Sequence, residues 1–335
     1  MTKGSLPELK LTGQWSDLWG TRWATQKDVE ELQKLFSQAF KHDMSKSRWE
    51  WKYQEATAWG CAVERDGRIV GFYGGMPRLC VLKKEPLLTV QVGDVMVLPQ
   101  ERSAGRSGPL MRASASYIDN MPALYEGFAF AFGFPSERPM RLGVALGLYH
   151  PVEVINGLEW AALPRNFSLL NRVHLISKDD LPQHQAQINA LWAQMQEDFF
   201  NYVVPVRDCA RWLYRYANHP EISYQIVLIS SRMTNKPLAA FVICDHSDHV
   251  ELLDYVGGRS GVKLAINFAR RLASGFGKPV VRGWFTNAIV SLFSHECLSV
   301  MRTGIEVPIN LRGRTKEQAV LPAPLWLMAG DSDFR

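Results

Sequence analysis

Two short segments recur, in the same order, in the two halves of this chain. RWEWKY at 48–53 returns as RWLYRY at 211–216, and AGRSG at 104–108 returns as GGRSG at 257–261. A five-residue near-match is weak by itself, because turns favour Gly and Ser. Two anchors in one order, with similar elements between them, specify a duplicated unit. In the first half Leu32, Leu35, Phe36 and Phe40 fall at helical spacing over 27–41, and INALWAQMQEDFFNYV holds the same place in the second. Strand-like runs follow the aromatic segments. GCAVERD, IVGFYGGMPRLCVL and LLTVQVGDVMVLP read as an antiparallel meander, as do YQIVLISS, PLAAFVICD and HVELLDYV. Each third strand enters a Gly/Ser loop that opens an apolar-striped helix. In the first half a strand, LYEGFAFAF, and a helix from SERPMRLGV complete the unit.

The expected fold is α/β (α+β), with two tandem domains, each a mixed, mostly antiparallel sheet flanked by helices. The expected boundaries are a lead-in at 1–22, a first domain at 23–158 and a second at 159–335. A length of 335 residues suits two domains of ordinary size. The net charge of +5 is spread among acidic residues without a basic tract, which permits an anionic ligand and argues against nucleic acid. Five cysteines, far apart and never in a CxxC spacing, indicate neither a zinc site nor a disulfide framework. The start MTKGSLPELK lacks the apolar core of a signal peptide, and no apolar run reaches the ~18 to 20 residues that span a bilayer. A cytoplasmic protein without a membrane partner is expected. No oligomeric state follows from the sequence.

The loop after the third strand of the first half carries the chemistry. A strand that delivers the chain into a Gly-rich turn at a helix start presents backbone N–H groups at the positive end of a helix dipole, and this geometry holds phosphate or pyrophosphate. Arg102 and Arg106 flank the turn, while Gly105 and Gly108 allow close backbone approach. Neither GxGxxG nor GKS/GKT is present.

VMVLPQERSAGRSGPLMRA resembles the acyl-coenzyme A loop of the GCN5-related N-acetyltransferase superfamily, in which a strand is followed by Arg or Gln, two residues, Gly, one residue, then Gly or Ala. Arg102, Gly105 and Ser107 stand at those positions. SERPMRLGVALGL at 136–148 is similar to that superfamily's NERAIRLYEKLGF segment through Glu137, Arg138, Arg141, Leu142, Leu146 and Gly147. With the order of elements, the resemblance covers about 23–155. It implies that the strand at 94–98, with Val95, Met96 and Val97, pairs with a pantetheine arm. It implies that Arg102, Gly105, Arg106, Ser107 and Gly108 hold the pyrophosphate, that Ser136 stands at a cofactor contact, and that an acyl group passes directly to an amine.

The sequence departs from the family where Asn is replaced by Ser136 and where the Tyr that often serves as general acid is replaced by Gly143. An acid then comes from Tyr149, from Tyr125 or from water. Asp94 and Glu126, read as lying on adjacent strands, are the candidate bases; strand alternation places Asp94 with Met96 and Leu98, and apolar neighbours raise a carboxylate's pKa. A structural hydrogen bond explains Asp94 equally well, and Tyr149 and His150, before Pro151, also read as a domain-linking turn. The second half lacks the Arg or Gln of the loop, and FTNAIVSLFSHECLSV, with Asn287, is a distant echo of the second motif. The first half is expected to bind the cofactor.

CDHSDH at 244–249 reads as solvated turn residues rather than a metal site, and the aromatic segments read as core. The expected function is an acyl-CoA-dependent N-acyltransferase, with acetyl-CoA or another acyl-CoA as co-substrate, no metal, and a small-molecule or sugar amine as acceptor. The alternatives are an aminoacyl-tRNA- or carrier-protein-dependent transferase of the same fold, and a non-catalytic acyl-CoA- or partner-binding protein.

Overall fold

The computed structural model describes residues 6–11, 15–166, 168–310 and 320–334. They fall into two compact units. The first gathers the described residues of Met1–Leu79, Leu87–Val152 and Glu306–Val320; the second gathers those of Cys80–Pro86, Glu153–Ile305 and Leu321–Arg335.

The first unit opens with β1 (Gly20–Ala24), α1 (Val29–Phe40) and α2 (Lys46–Tyr53). Ser45 Oγ caps α2 by accepting from the Arg48 N–H at 3.1 Å. Trp49 and Tyr53, four residues apart and so on one helix face, stack on each other and on Trp59. These aromatics are core, as the helical spacing predicts. A meander follows: β2 (Gly60–Arg65), β3 (Arg68–Leu82) and β4 (Glu85–Val97). After α3 (Pro109–Leu124), β5 (Phe128–Gly133) runs parallel to β4, and α4 (Glu137–Ala145) leads to β6 (Tyr149–Ala161). One face of this sheet packs Val90, Val92, Tyr73, Tyr117 and Met121; the other packs Leu32, Phe36, Trp49, Tyr53 and Met96. Tyr149 and His150 begin strand β6, so the turn reading is corrected. The hydrogen-bonding frame of a strand fixes both residues.

The second unit holds β7 (Asn171–Ile176), α5 (Gln185–Asp198), the short β8 (Val204–Pro205), α6 (Cys209–Trp212) with a wide turn to Ala217, and a second meander. That meander is β9 (Gln225–Ser231), β10 (Pro237–Asp245) and β11 (Val250–Val256), antiparallel throughout. Then come α7 (Arg259–Gly275), β12 (Val280–Thr286) parallel to β11, α8 (Asn287–Phe293) and β13 (Ser299–Asn310). Both units therefore carry the same run: three-stranded meander, helix, parallel strand, helix. The strand after α4 breaks the copy, because β6 pairs with β12, while the strand antiparallel to β5 is the end of β13, through Ile309 opposite Phe132.

Candidate active site

The pairing of β4 with β5 runs from Leu88 opposite Phe128 to Val92 opposite Gly133, and there β5 ends. β4 continues to Val97, which leaves its backbone groups on that side free for a ligand. At the parting point Asp94 adopts φ 52°, a left-handed conformation inside a strand. Its effect is that of a bulge. Val90 and Val92 share one face, yet the next residue on that face is Val95, and Met96 faces the other core.

Asp94 is the first sequence-predicted site residue to be corrected. Its surroundings are not apolar. Lys52 Nζ lies 2.8 Å from Oδ1 and 2.7 Å from Oδ2, and the Tyr53 hydroxyl donates to Oδ2 at 2.8 Å. The ammonium and carboxylate side chains are only 3% and 6% exposed, so each neutralises the other where water cannot. The repeat explains the arrangement. In the second unit Tyr216, the last residue of RWLYRY, donates to Asp254 Oδ2 at 2.8 Å, and Arg207 Nε lies 2.7 Å from Oδ1. A tyrosine from the aromatic helix tied to an aspartate of the third strand is thus an anchor built into both halves.

Glu126 lies in the exposed turn before β5, at the opposite end of that strand from the parting point. From Phe128, opposite Leu88, six residues of β4 lead to the level of Asp94, on the order of 20 Å. The structure therefore does not bring it to the other candidates. Tyr125 is buried against the core, where burial pushes its phenol up to about 12.

The loop from 99 to 107 forms tight helical turns interrupted at Gly105, whose φ of 56° and ψ of −129° suit only a residue without a side chain. Arg102 is spent on the fold: Nε donates to the Val97 carbonyl at 3.1 Å and Nη2 to the Ala39 carbonyl at 3.4 Å. Its guanidinium fastens the loop to the end of β4. The Arg106 side chain lies outside the described residues. Gly108 is the N-cap of α3, Pro109 its first residue, and no side chain caps this end; Ser107 is exposed beside it. Ser136, exposed at the N-cap of α4, likewise makes no side-chain cap bond. Two helix starts with unclaimed donors thus flank the free edge of β4.

The corresponding helix starts in the second unit are closed. The Asp198 carboxylate accepts from the Arg259 N–H at 2.7 Å at the start of α7, and a Cβ on Gly258 would meet Asp198 Oδ2 at 2.6 Å. Glu153 accepts from the N–H groups of Asn287 and Ala288 at the start of α8. Carboxylates of the chain itself fill both positions that an anion would take.

Beneath the parting point lies a polar trio. The Tyr73 hydroxyl is 3.2 Å from that of Tyr149, and Asn310 Nδ2 donates to Tyr73 at 3.5 Å. Either hydroxyl of the Tyr73–Tyr149 pair can donate to the other; in the arrangement where Tyr73 donates, the hydrogen of Tyr149 is left to a ligand. Burial holds Tyr149 above the ordinary phenol range, against the opposing pull of the Tyr73 hydrogen bond, so it stays protonated at neutral pH. Gly143 has its explanation here. A Cβ at that position would lie 2.0 Å from Tyr149 Cδ2, so the ring of Tyr149 fills the space beside the helix where the family places its acid. Sequence reasoning missed Tyr73 and Asn310. The signal for the first was the glycine pair in GFYGG: a Cβ on Gly74 would meet the Tyr53 hydroxyl at 2.2 Å, and one on Gly75 the Tyr117 hydroxyl at 2.3 Å.

Among the described residues no cluster of three or more His, Cys, Asp or Glu is placed to hold a metal ion. In the 244–249 turn His246 stacks on His249 at 4.7 Å, and the two contact Glu251 and Asp248.

Comparison with known proteins agrees with the fold. Residues 21–141 match the acetyltransferase (GNAT) domain family. No curated protein matches as a sequence relative. Among solved structures, a conserved protein of Enterococcus faecalis described as a probable N-acyltransferase superposes with a TM-score of 0.67 at 12% identity, covering 87% of this chain and 71% of that one. A GCN5-related N-acetyltransferase from Kribbella flavida gives 0.63 at 13%, covering 87% and 70%. The Saccharomyces cerevisiae N-myristoyltransferase with bound myristoyl-CoA and inhibitors gives 0.58 at 11%, covering 92% and 83%. At these identities the likeness is one of fold.

Proposed function

We propose that this chain, of which residues 21–141 match the acetyltransferase (GNAT) domain family, is an N-acyltransferase whose first unit binds one acyl-CoA, with acetyl as the acyl group, and transfers that group to the amine of a small molecule. The observation that carries this reading is the contrast between the two units. Among the described residues no side chain bonds the helix starts beside the parted β4 and β5, whereas their counterparts in the second unit are closed by Asp198 and Glu153.

In this reading the free edge of β4 at Val95, Met96 and Val97 pairs with the amide groups of the pantetheine. Backbone N–H groups from Gly105 to Gly108 and the start of α3 face the pyrophosphate, and Ser136 meets the arm at α4. The amine nitrogen attacks the thioester carbon. The C–N bond forms, the C–S bond breaks, and the thiolate takes the proton of Tyr149. The proton lost by nitrogen passes to solvent, from which the Tyr149 phenolate is reprotonated, so the sum is an amide and free CoA. Asp94, already paired, holds the bulge that opens the strand edge. A cytoplasmic setting, and the division at 23–158 and 159–335 into a cofactor-binding and a supporting domain, belong to the same proposal.

Release of free thiol from acetyl-CoA in the presence of a panel of primary amines tests the reading. Amine-dependent thiol release, with a matching acetylated product by mass, is expected. A protein that binds no CoA thioester refutes it.

A further inference from the structure

Asn310 Oδ1 is buried and has no hydrogen-bond partner among the described residues, while the amide nitrogen of the same side chain donates to Tyr73. Leaving a buried carbonyl oxygen unpaired is costly, and this points to a ligand that satisfies it. Its position says which part of the ligand. Ile309, the preceding residue, pairs with Phe132, one residue before the Gly133 at which β5 parts from β4. Tyr73 comes from β3, on the other side of β4, and reaches Tyr149 and Asn310 at this level. The Asn310 amide therefore stands one hydroxyl, that of Tyr73, away from the phenol assigned to the leaving thiolate.

We propose that Asn310 is the residue that recognises the acceptor, its Oδ1 taking one N–H of an uncharged primary amine so that the nitrogen lone pair faces the thioester carbon. The inference rests on the acyl-transfer reading above. An acceptor-only oxygen selects for a donor. It offers nothing to a thioester sulfur and nothing to an acceptor lacking hydrogen on nitrogen. An amide also carries no charge, and Asp94 on β4 is spent on Lys52 and Tyr53, so the trio favours the neutral, nucleophilic form of the amine over the ammonium ion.

Hydroxylamine, small enough to enter any acceptor site, serves as the probe. Enzyme-dependent hydroxamate formation from acetyl-CoA is measured beside enzyme-dependent thioester hydrolysis and CoA affinity by calorimetry, for the wild type, Asn310→Leu and Asn310→Asp. In the leucine variant the KM for hydroxylamine is expected to rise about tenfold or more, while CoA affinity stays within about twofold. The aspartate variant keeps an oxygen at the same place and is expected to keep the hydroxylamine KM within about threefold; this arm stands even if the leucine variant does not fold. A fall in kcat at unchanged hydroxylamine KM overturns the proposal, because Asn310 then acts only through Tyr73 and Tyr149. Wild type that binds CoA but forms no hydroxamate also overturns it while leaving the cofactor site standing. Absence of CoA binding removes the acyl-transfer reading itself.

Discussion

Asp94 and Tyr149 came from the sequence as equal candidates for proton transfer, and the structure separates them. Asp94 is an anchor, so Asp94→Ala takes a buried carboxylate from the Lys52 ammonium and is expected to cost about 3 to 5 kcal/mol in denaturant unfolding. Asp254→Ala is expected to cost less, about 1 to 3 kcal/mol, because Asp331 Oδ2 remains 2.6 Å from Arg207 Nη2. If Asp94→Asn instead abolished turnover at full stability, the carboxylate would be a base after all. Tyr149→Phe removes a proton and little else. It is expected to lower kcat about 100-fold while CoA affinity is unchanged. The buried phenols also set a limit in pH. Burial holds Tyr73, Tyr117, Tyr149 and Tyr216 above the ordinary phenol value, whereas in the unfolded chain they ionise near ~10. The unfolded state thus loses protons first, so stability is whole below pH ~10 and declines as pH rises through it. Urea midpoints measured from pH 8 to 11 are expected to be level at first and then fall; a rise above pH 10 contradicts this.

Among elements, the loop from 99 to 107 depends on one residue. Gly105→Ala forces a side chain into φ 56°, ψ −129°, at a cost on the order of 1 to 3 kcal/mol, and is expected to weaken CoA binding at least tenfold by misdirecting the N–H groups. Asp198→Ala is expected to cost about 1 kcal/mol as a lost cap of α7, with CoA affinity unmoved, as read by thermal melts and calorimetry. The elements themselves were legible. The meanders, α1, α3, α5 and α7 follow from hydrophobic period and turn residues, because a half-buried helix or strand prints its period into the chain. Strands β1, β6, β7, β12 and β13 escaped. β6 begins with Tyr149, His150 and Pro151, which read locally as a turn, and only its long-range place between β13 and β12 makes it a strand. The site was legible in part. The glycine loop has a motif, but the Lys52–Asp94 pair and the Tyr73–Tyr149–Asn310 trio join residues 42 to 237 positions apart, and spacing of that length leaves no local pattern.

At the scale of the whole molecule, a repeat kept its scaffold and divided its labour. Each unit retains an aromatic helix tied by tyrosine to a strand aspartate, a meander and a glycine-started helix. Only the first leaves its helix starts unclaimed. The second closes the equivalent positions with its own carboxylates, which no composition or charge count reveals. The account therefore commits to a number. Calorimetric titration of the full chain with acetyl-CoA is expected to give one site per chain, abolished by Gly105→Glu, whose bulk and negative charge oppose a pyrophosphate, and retained in Asp198→Ala. Two sites per chain, or one that survives Gly105→Glu, would contradict it.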